Sequence, residues 1–173
     1  MTMWRVGILT ASDKASRGER EDESAKLLME LVKNELNGQV VGYRVVPDCI
    51  ETLKENMIEL IDRENVDLLL TTGGTGLSPR DVTPEATRKI IDREVPGLSE
   101  EMRRASLQST RRALLTRAVS GTRGNTLIIN LPGSPKGVKE CFMAISDQLS
   151  HALNILQGKT GECATNPDLE EVR

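Results

Sequence analysis

The sequence is poor in aromatic residues, with one Trp, one Tyr and one Phe in 173 positions. It has a single histidine, and its three cysteines form no C-x-x-C pair. Each shortage excludes something. Without aromatics to stack on bases, and without a basic stripe, binding of nucleic acid has little to work with. Lys and Arg (23) are interspersed among Asp and Glu (26), for a net charge of −3. One histidine, His151, allows no His-based zinc cluster and gives a Ser-His-Asp triad poor support. An odd set of cysteines, Cys49, Cys141 and Cys163, reads as reduced thiols of a cytoplasmic protein. No apolar run is long enough to span a bilayer, and the start is too short for a signal peptide, so no membrane partner is expected.

The apolar residues that are present recur at regular intervals. Trp4 to Leu9, Gln39 to Val46, Val66 to Leu70 and Leu127 to Leu131 read as strands. Val119 to Leu131 holds one or two strands, with Gly121 and Gly124 marking a turn or bulge. Between the strands lie helical spacings: Ala25, Leu28, Leu31, Val32 and Leu36, capped by Asp22 or Ser24, and then Ile50, Leu53, Met57, Ile58 and Ile61. Thr83 is the expected cap of a third helix, with Pro84 in its first turn. Asp92-Arg-Glu-Val-Pro-Gly97 breaks that helix, and Leu98 to Leu115 reads as a polar helix. The last helix runs from Val138 to Leu156, with Gly158 at its C-cap.

This alternation predicts a three-layer α/β/α fold with a mostly parallel sheet. Residues 1–158 are expected to form one domain and 159–173 a polar tail. Val66 to Leu70 has no polar alternation and belongs at the sheet centre. Ligands of such sheets bind beyond the carboxyl ends of the strands. Four loops fall there, at 10–18, 47–49, 72–83 and 132–137. They bring Ser12, Asp13, Asp48, Asp81, Ser134 and Lys136 to one rim.

Residues 71–86 are the centre of this arrangement: Thr-Thr-Gly-Gly-Thr-Gly-Leu-Ser-Pro-Arg-Asp-Val-Thr-Pro-Glu-Ala. Glycines 73, 74 and 76 let a ligand approach the backbone, whose N–H groups suit an anion. The segment is neither a Walker A loop nor a dinucleotide fingerprint. A tight packing turn is the competing reading. Asp48 and Asp81 offer hard oxygens for Mg²⁺ against nucleotide phosphates. The alternative for Asp48 is a helix N-cap, and for Asp81 a turn residue. Arg80 and Lys136 could neutralise phosphate or be solvated surface charges. Cys49 sits beside Asp48 and reads as a bystander; Cys141 reads as core.

Thr71-Thr-Gly-Gly-Thr-Gly76 followed by Arg80-Asp-Val-Thr-Pro-Glu-Ala86 resembles the signature of the MogA/MoaB molybdenum-cofactor proteins, whose fold also forms the gephyrin G domain. Ser12-Asp-Lys-Ala-Ser16, Val46-Pro-Asp48, Asp92-Arg-Glu-Val-Pro-Gly97 and Asn130-Leu-Pro-Gly-Ser-Pro-Lys136 are similar to the family as well. The resemblance implies a molybdopterin-binding fold, usually trimeric. It implies transfer of AMP from ATP to the terminal phosphate of molybdopterin, with Mg²⁺ and release of pyrophosphate. By the same resemblance Asp48 and Asp81 are the catalytic and metal-binding acids. Ser12, Asp13, Gly73, Gly74, Thr75, Gly76, Arg80, Gly133, Ser134 and Lys136 then bind substrate. A MoaB-type protein that binds molybdopterin without adenylylating it is the alternative, and the retained Asp81-Val-Thr-Pro84 favours the active type.

Overall fold

The computed structural model describes residues 3–159. Most of the expected tail therefore lies outside the described residues, as does Cys163. Six strands form one sheet in the order β2-β1-β3-β6-β5-β4. They are β1 (Trp4–Ala11), β2 (Gly38–Val46), β3 (Leu68–Thr72), β4 (Arg93–Glu94), β5 (Ser120–Arg123) and β6 (Thr126–Leu131). The pairs β1–β2, β1–β3 and β3–β6 are parallel, and β5 and β4 add an antiparallel edge. β3 is central, as the lack of polar alternation across its residues 68–70 predicts.

The helices are α1 (Asp13–Ser16), α2 (Glu23–Glu35), α3 (Ile50–Ile58), α4 (Thr83–Arg88), α5 (Pro96–Ser106) and α6 (Pro135–Leu156). A π turn, Glu59–Arg63, extends α3, and a 3-10 turn covers Arg111–Leu115. Alternate strand residues serve opposite cores. Ile8, Leu68, Leu70, Leu127 and Ile129 pack with α2, α5 and α6. Leu9, Leu69 and Ile128 pack with α3 and α4. Period-two side-chain alternation thus feeds two apolar layers and yields the α/β/α sandwich.

Local chemistry differs from expectation at four places. Thr83 does not cap α4: Val82 is the cap residue, and the Thr83 hydroxyl instead donates to the Gly73 carbonyl at 2.9 Å. Loop 10–18 contains a helical turn, α1, capped by the Ser12 hydroxyl. The segment expected only to break a helix holds β4, and Gly97 lies inside α5. The polar helix expected from Leu98 to Leu115 is α5 followed by a turn and the 3-10 segment. Two residues of β4 carry no readable period, so only pairing with β5 reveals that strand.

Candidate functional site

The carboxyl ends of β1, β2, β3 and β6 converge on one rim, and the glycine loop divides it into two cavities of about 370 Å³ each. The first is polar. Ser12, Asp48, Asp81, Thr72, Gly73, Gly74, Gly133 and Ser134 all border it. The second is mainly apolar. Thr75, Gly76, Leu77, Met102, Ala113 and Leu115 border it, with Ser106 and Glu140 at its polar edge. Ser134 borders both. The two ends of the glycine loop therefore face different cavities.

Tight backbone geometry builds the partition. Gly73 and Gly74 take φ of 89° and 66°, in the left-handed region open to glycine. A Cβ at Gly73 would lie 2.4 Å from the carbonyl oxygen of Ala11, and one at Gly74 would lie 3.2 Å from Asp48 Oδ1. A Cβ at Gly76 would lie 2.8 Å from Asp81 Oδ2. Missing side chains at this loop thus leave room for the two acids. The loop base is closed by Thr83, whose N–H donates to Gly74 O at 3.1 Å. Ser78 N–H donates to Asp81 Oδ2 at 2.9 Å and orients that carboxylate.

Asp48 is not a helix cap. Cys49 takes the N-cap position of α3 without a side-chain cap bond. Asp48 and Asp13 instead clasp each other: Asp13 N–H donates to Asp48 Oδ2 at 3.0 Å, and Asp48 N–H donates to Asp13 Oδ1 at 3.1 Å. Arg80 closes the clasp, with Nη2 at 2.8 Å and Nε at 3.0 Å from Asp13 Oδ2. The Arg80 hydrogen bonds hold the Asp13 carboxyl below the usual carboxylate range. Burial pushes Asp48 the other way, and the neighbouring charges of Asp13 and Asp81 add to the rise.

Arg80 is therefore engaged with Asp13, and neither it nor Lys136 borders a cavity. Lys136 is exposed, 3.8 Å from Glu140. Ser12 and Ser134 accept backbone N–H bonds as caps of α1 and α6. Thr75 and Gly76 face the apolar cavity, whereas Gly73, Gly74 and Gly133 face the polar one. Cys49 is exposed, and hydrogen bonding to the Thr52 N–H pulls its thiol pKa down.

Several further residues border or brace the rim. Of these, Arg20 carries no sequence signal, while the others read as cap, loop or motif residues without a site role. Arg20, Asp22 and Ser24 line the polar cavity. Arg20 forms no salt bridge among the described residues, unlike its neighbour Arg17, which pairs with Glu19. Ser24 Oγ donates to Gly133 O at 2.9 Å and joins α2 to the loop before α6. Thr72 Oγ1 donates to Pro132 O at 2.8 Å and joins β3 to the same loop. Thr10 Oγ1 is buried in the wall of the polar cavity without a hydrogen-bond partner among the described residues. The fully buried Asn130 donates to Thr71 and Thr87 and accepts from Val119 N–H, which locks β6 behind the loop.

Comparison with known proteins agrees with this architecture. A family described as "probable molybdopterin binding domain" matches residues 7–151. The molybdopterin adenylyltransferase of Helicobacter pylori J99 is 40% identical over 154 residues, covering 88% of each chain. The Drosophila melanogaster molybdenum cofactor synthesis protein cinnamon is 45% identical over 151 residues, which is 87% of this chain and a quarter of that longer protein. Among solved structures, the molybdopterin biosynthesis enzyme MoaB of Thermus thermophilus superposes with a TM-score of 0.85 at 50% identity, covering 92% of this chain and all of that one. With this breadth of match, and with the glycine loop and both acids on one rim, the chain belongs to the MogA/MoaB family of molybdopterin-binding proteins.

Proposed function

We propose that this chain is a molybdopterin adenylyltransferase, which moves AMP from ATP to the terminal phosphate of molybdopterin and releases pyrophosphate. One observation carries the reading: Asp48 and Asp81, 33 positions apart in sequence by subtraction, border one polar cavity walled by the glycine loop. The named activity of the relatives at about 40% identity supports it.

The two cavities suit two substrates. The polar one matches a triphosphate and the apolar one a flat pterin ring, with the reacting phosphates meeting beside Ser134. A terminal oxygen of the molybdopterin phosphate attacks the α-phosphorus of ATP. A new P–O bond forms, the bond from the α-phosphorus to the bridging oxygen breaks, and the electron pair leaves with pyrophosphate. The nucleophile is already ionised at neutral pH, so no strong base is needed. This suits a site without histidine.

No cluster of three or more metal-binding side chains occurs among the described residues. Two carboxylates match Mg²⁺, which keeps waters and takes phosphate oxygens as further ligands. Asp48 and Asp81 would hold it, in the space that Gly74 and Gly76 leave open. Bound there, Mg²⁺ supplies charge neutralisation of the leaving pyrophosphate. Arg80 acts by holding Asp13, and Asp13 by holding Asp48. Gly73 and Gly74 give the phosphates access to backbone, and the exposed Arg20 adds positive charge at the rim. Transfer proceeds mainly by positioning and charge stabilisation.

The reading carries a cytoplasmic homotrimer with residues 1–158 as one domain. Exposed Leu77, Leu107, Leu114 and Leu115 offer apolar surface for association. No helix among the described residues is long and apolar enough to cross a membrane. Pyrophosphate release from ATP, Mg²⁺ and molybdopterin tests the activity. Wild type should release it and Asp81→Ala should not. Molybdopterin binding without release would instead make the chain a MoaB-type binding protein.

A further inference from the structure

Arg117 lies in none of the motifs above and borders neither substrate cavity. It sits between the 3-10 turn and β5, far in sequence from the glycine loop. Yet its backbone N–H donates to Thr75 O at 2.8 Å. Its Nε donates to Gly76 O at 2.7 Å, and its Nη2 to Asp81 O at 2.5 Å. Nη1 pairs with Glu85 in the first turn of α4. One arginine therefore binds three carbonyl oxygens of segment 75–81 together with the helix that follows.

Those carbonyls are the electron-rich atoms of the loop. Carbonyl oxygens of a tight loop that are turned from water need donors, and the donor that meets them fixes the loop in one conformation. A guanidinium can hold several acceptors at once, since its five N–H donors are fixed in one plane. A lysine could face Glu85 but not reproduce the fork. The Glu85 carboxylate adds a second constraint, for its Oε2 is buried without a hydrogen-bond partner among the described residues. Its remaining oxygen rests on Arg117. Upstream, Thr83 closes the base of the loop. Downstream, only Arg117 spans from Gly76 to Asp81 among the hydrogen bonds of the described residues.

We propose that Arg117 is a positioning residue for adenylyl transfer. It fixes the backbone on both sides of the Ser78–Asp81 turn, so that the Asp81 carboxylate meets the polar cavity while touching no substrate itself. The proposal rests on the adenylyl-transfer reading.

The test compares wild type with Arg117→Lys and Arg117→Gln. Thermal unfolding, hydrogen exchange across 73–82, and pyrophosphate release with titrated Mg²⁺ are measured. Arg117→Lys should melt several degrees below wild type, because two hydrogen bonds to carbonyls are lost, but above Arg117→Gln, because its charge still faces Glu85. Exchange in 75–82 should rise about fivefold or more, with β3 and β6 unchanged. kcat should fall about tenfold, the half-saturating Mg²⁺ concentration should rise about threefold, and KM for molybdopterin should stay near wild type. Wild-type kcat and Mg²⁺ response in both variants would overturn the proposal. So would a loss of rate that follows only the melting temperature, without local exchange. If wild type released no pyrophosphate, the adenylyl-transfer reading would fall with the catalytic role built on it. Exchange would still report whether Arg117 holds the loop.

Discussion

Replacing Gly76 with alanine would place a methyl carbon 2.8 Å from Oδ2 of Asp81. Ordinary contact begins near 3.4 Å, so the carboxylate must retreat by 3.4 − 2.8, about 0.6 Å. The same oxygen accepts the Ser78 N–H at 2.9 Å, and that retreat stretches the bond beyond useful length. Losing a hydrogen bond to a charged group costs about 1.5 kcal/mol at the low end, fitting a half-exposed site. Alanine restricts the unfolded chain and returns about 0.5 kcal/mol. The net destabilisation is about 1 kcal/mol, or about 2–4 °C in melting temperature at this chain length. Activity should suffer far more, because displacement of a catalytic group by a fraction of an ångström to 1 Å costs about tenfold to a hundredfold in rate. Gly73→Ala is the contrasting case. Its φ of 89° is left-handed, and the added Cβ meets the Ala11 backbone oxygen at 2.4 Å. Backbone strain and overpacking together cost about 3 kcal/mol, or about 6–12 °C. Thermal unfolding beside pyrophosphate release separates the two. Wild-type turnover in Gly76→Ala, or a smaller melting shift in Gly73→Ala than in Gly76→Ala, would refute the reasoning.

Further outcomes are expected for Asp48, Asn130 and ATP binding. Asp48→Asn should lower adenylyl transfer about a hundredfold at neutral pH. Because burial raises the Asp48 pKa in the metal-free protein, Mg²⁺ affinity should weaken on the acid side at a higher pH than an ordinary aspartate would give. The stability sign runs opposite to that of a salt-bridged acid. Asp48 favours the folded state below its unfolded pKa, and this contribution is lost as pH rises through the folded pKa. Asp48→Asn should therefore melt no lower than wild type at pH 7, and a large drop would contradict the burial argument. Asn130→Leu strips partners from Thr71, Thr87 and the Val119 N–H, all buried. It should cost about 3 kcal/mol, read as a denaturant midpoint shift at unchanged slope. Saturating ATP with Mg²⁺ at about a hundred times Kd should stabilise wild type by about 2.7 kcal/mol, and Asp48→Asn much less, in a thermal-shift titration.

Much of this protein is written along the chain. Apolar period and capping chemistry act over a few residues, so α2, α3, α6 and the central β3 could be placed from Leu28, Leu53, Phe142 and Leu69 and their neighbours. The glycine loop was legible for the same reason: left-handed backbone at Gly73 and Gly74 is a local demand. β4 was not, since a two-residue strand exists only by pairing with β5. Thr83 misled because its hydroxyl found Gly73 O across the loop in preference to the end of its own helix.

Sequence by itself determined most of the elements, the layered sheet and which loops meet at its rim. Tertiary structure decided what each rim residue does there. It set aside the alternative reading of Asp48 as a cap by placing it in a clasp with Asp13, and it engaged Arg80 with that clasp. It divided one glycine loop between two cavities and brought Arg117 across 36 to 42 positions, counted to Asp81 and Thr75, to hold it. The physical reason is range. Backbone preferences are settled among neighbours, whereas a charged side chain goes to whichever acceptors the packed layers leave within hydrogen-bond reach.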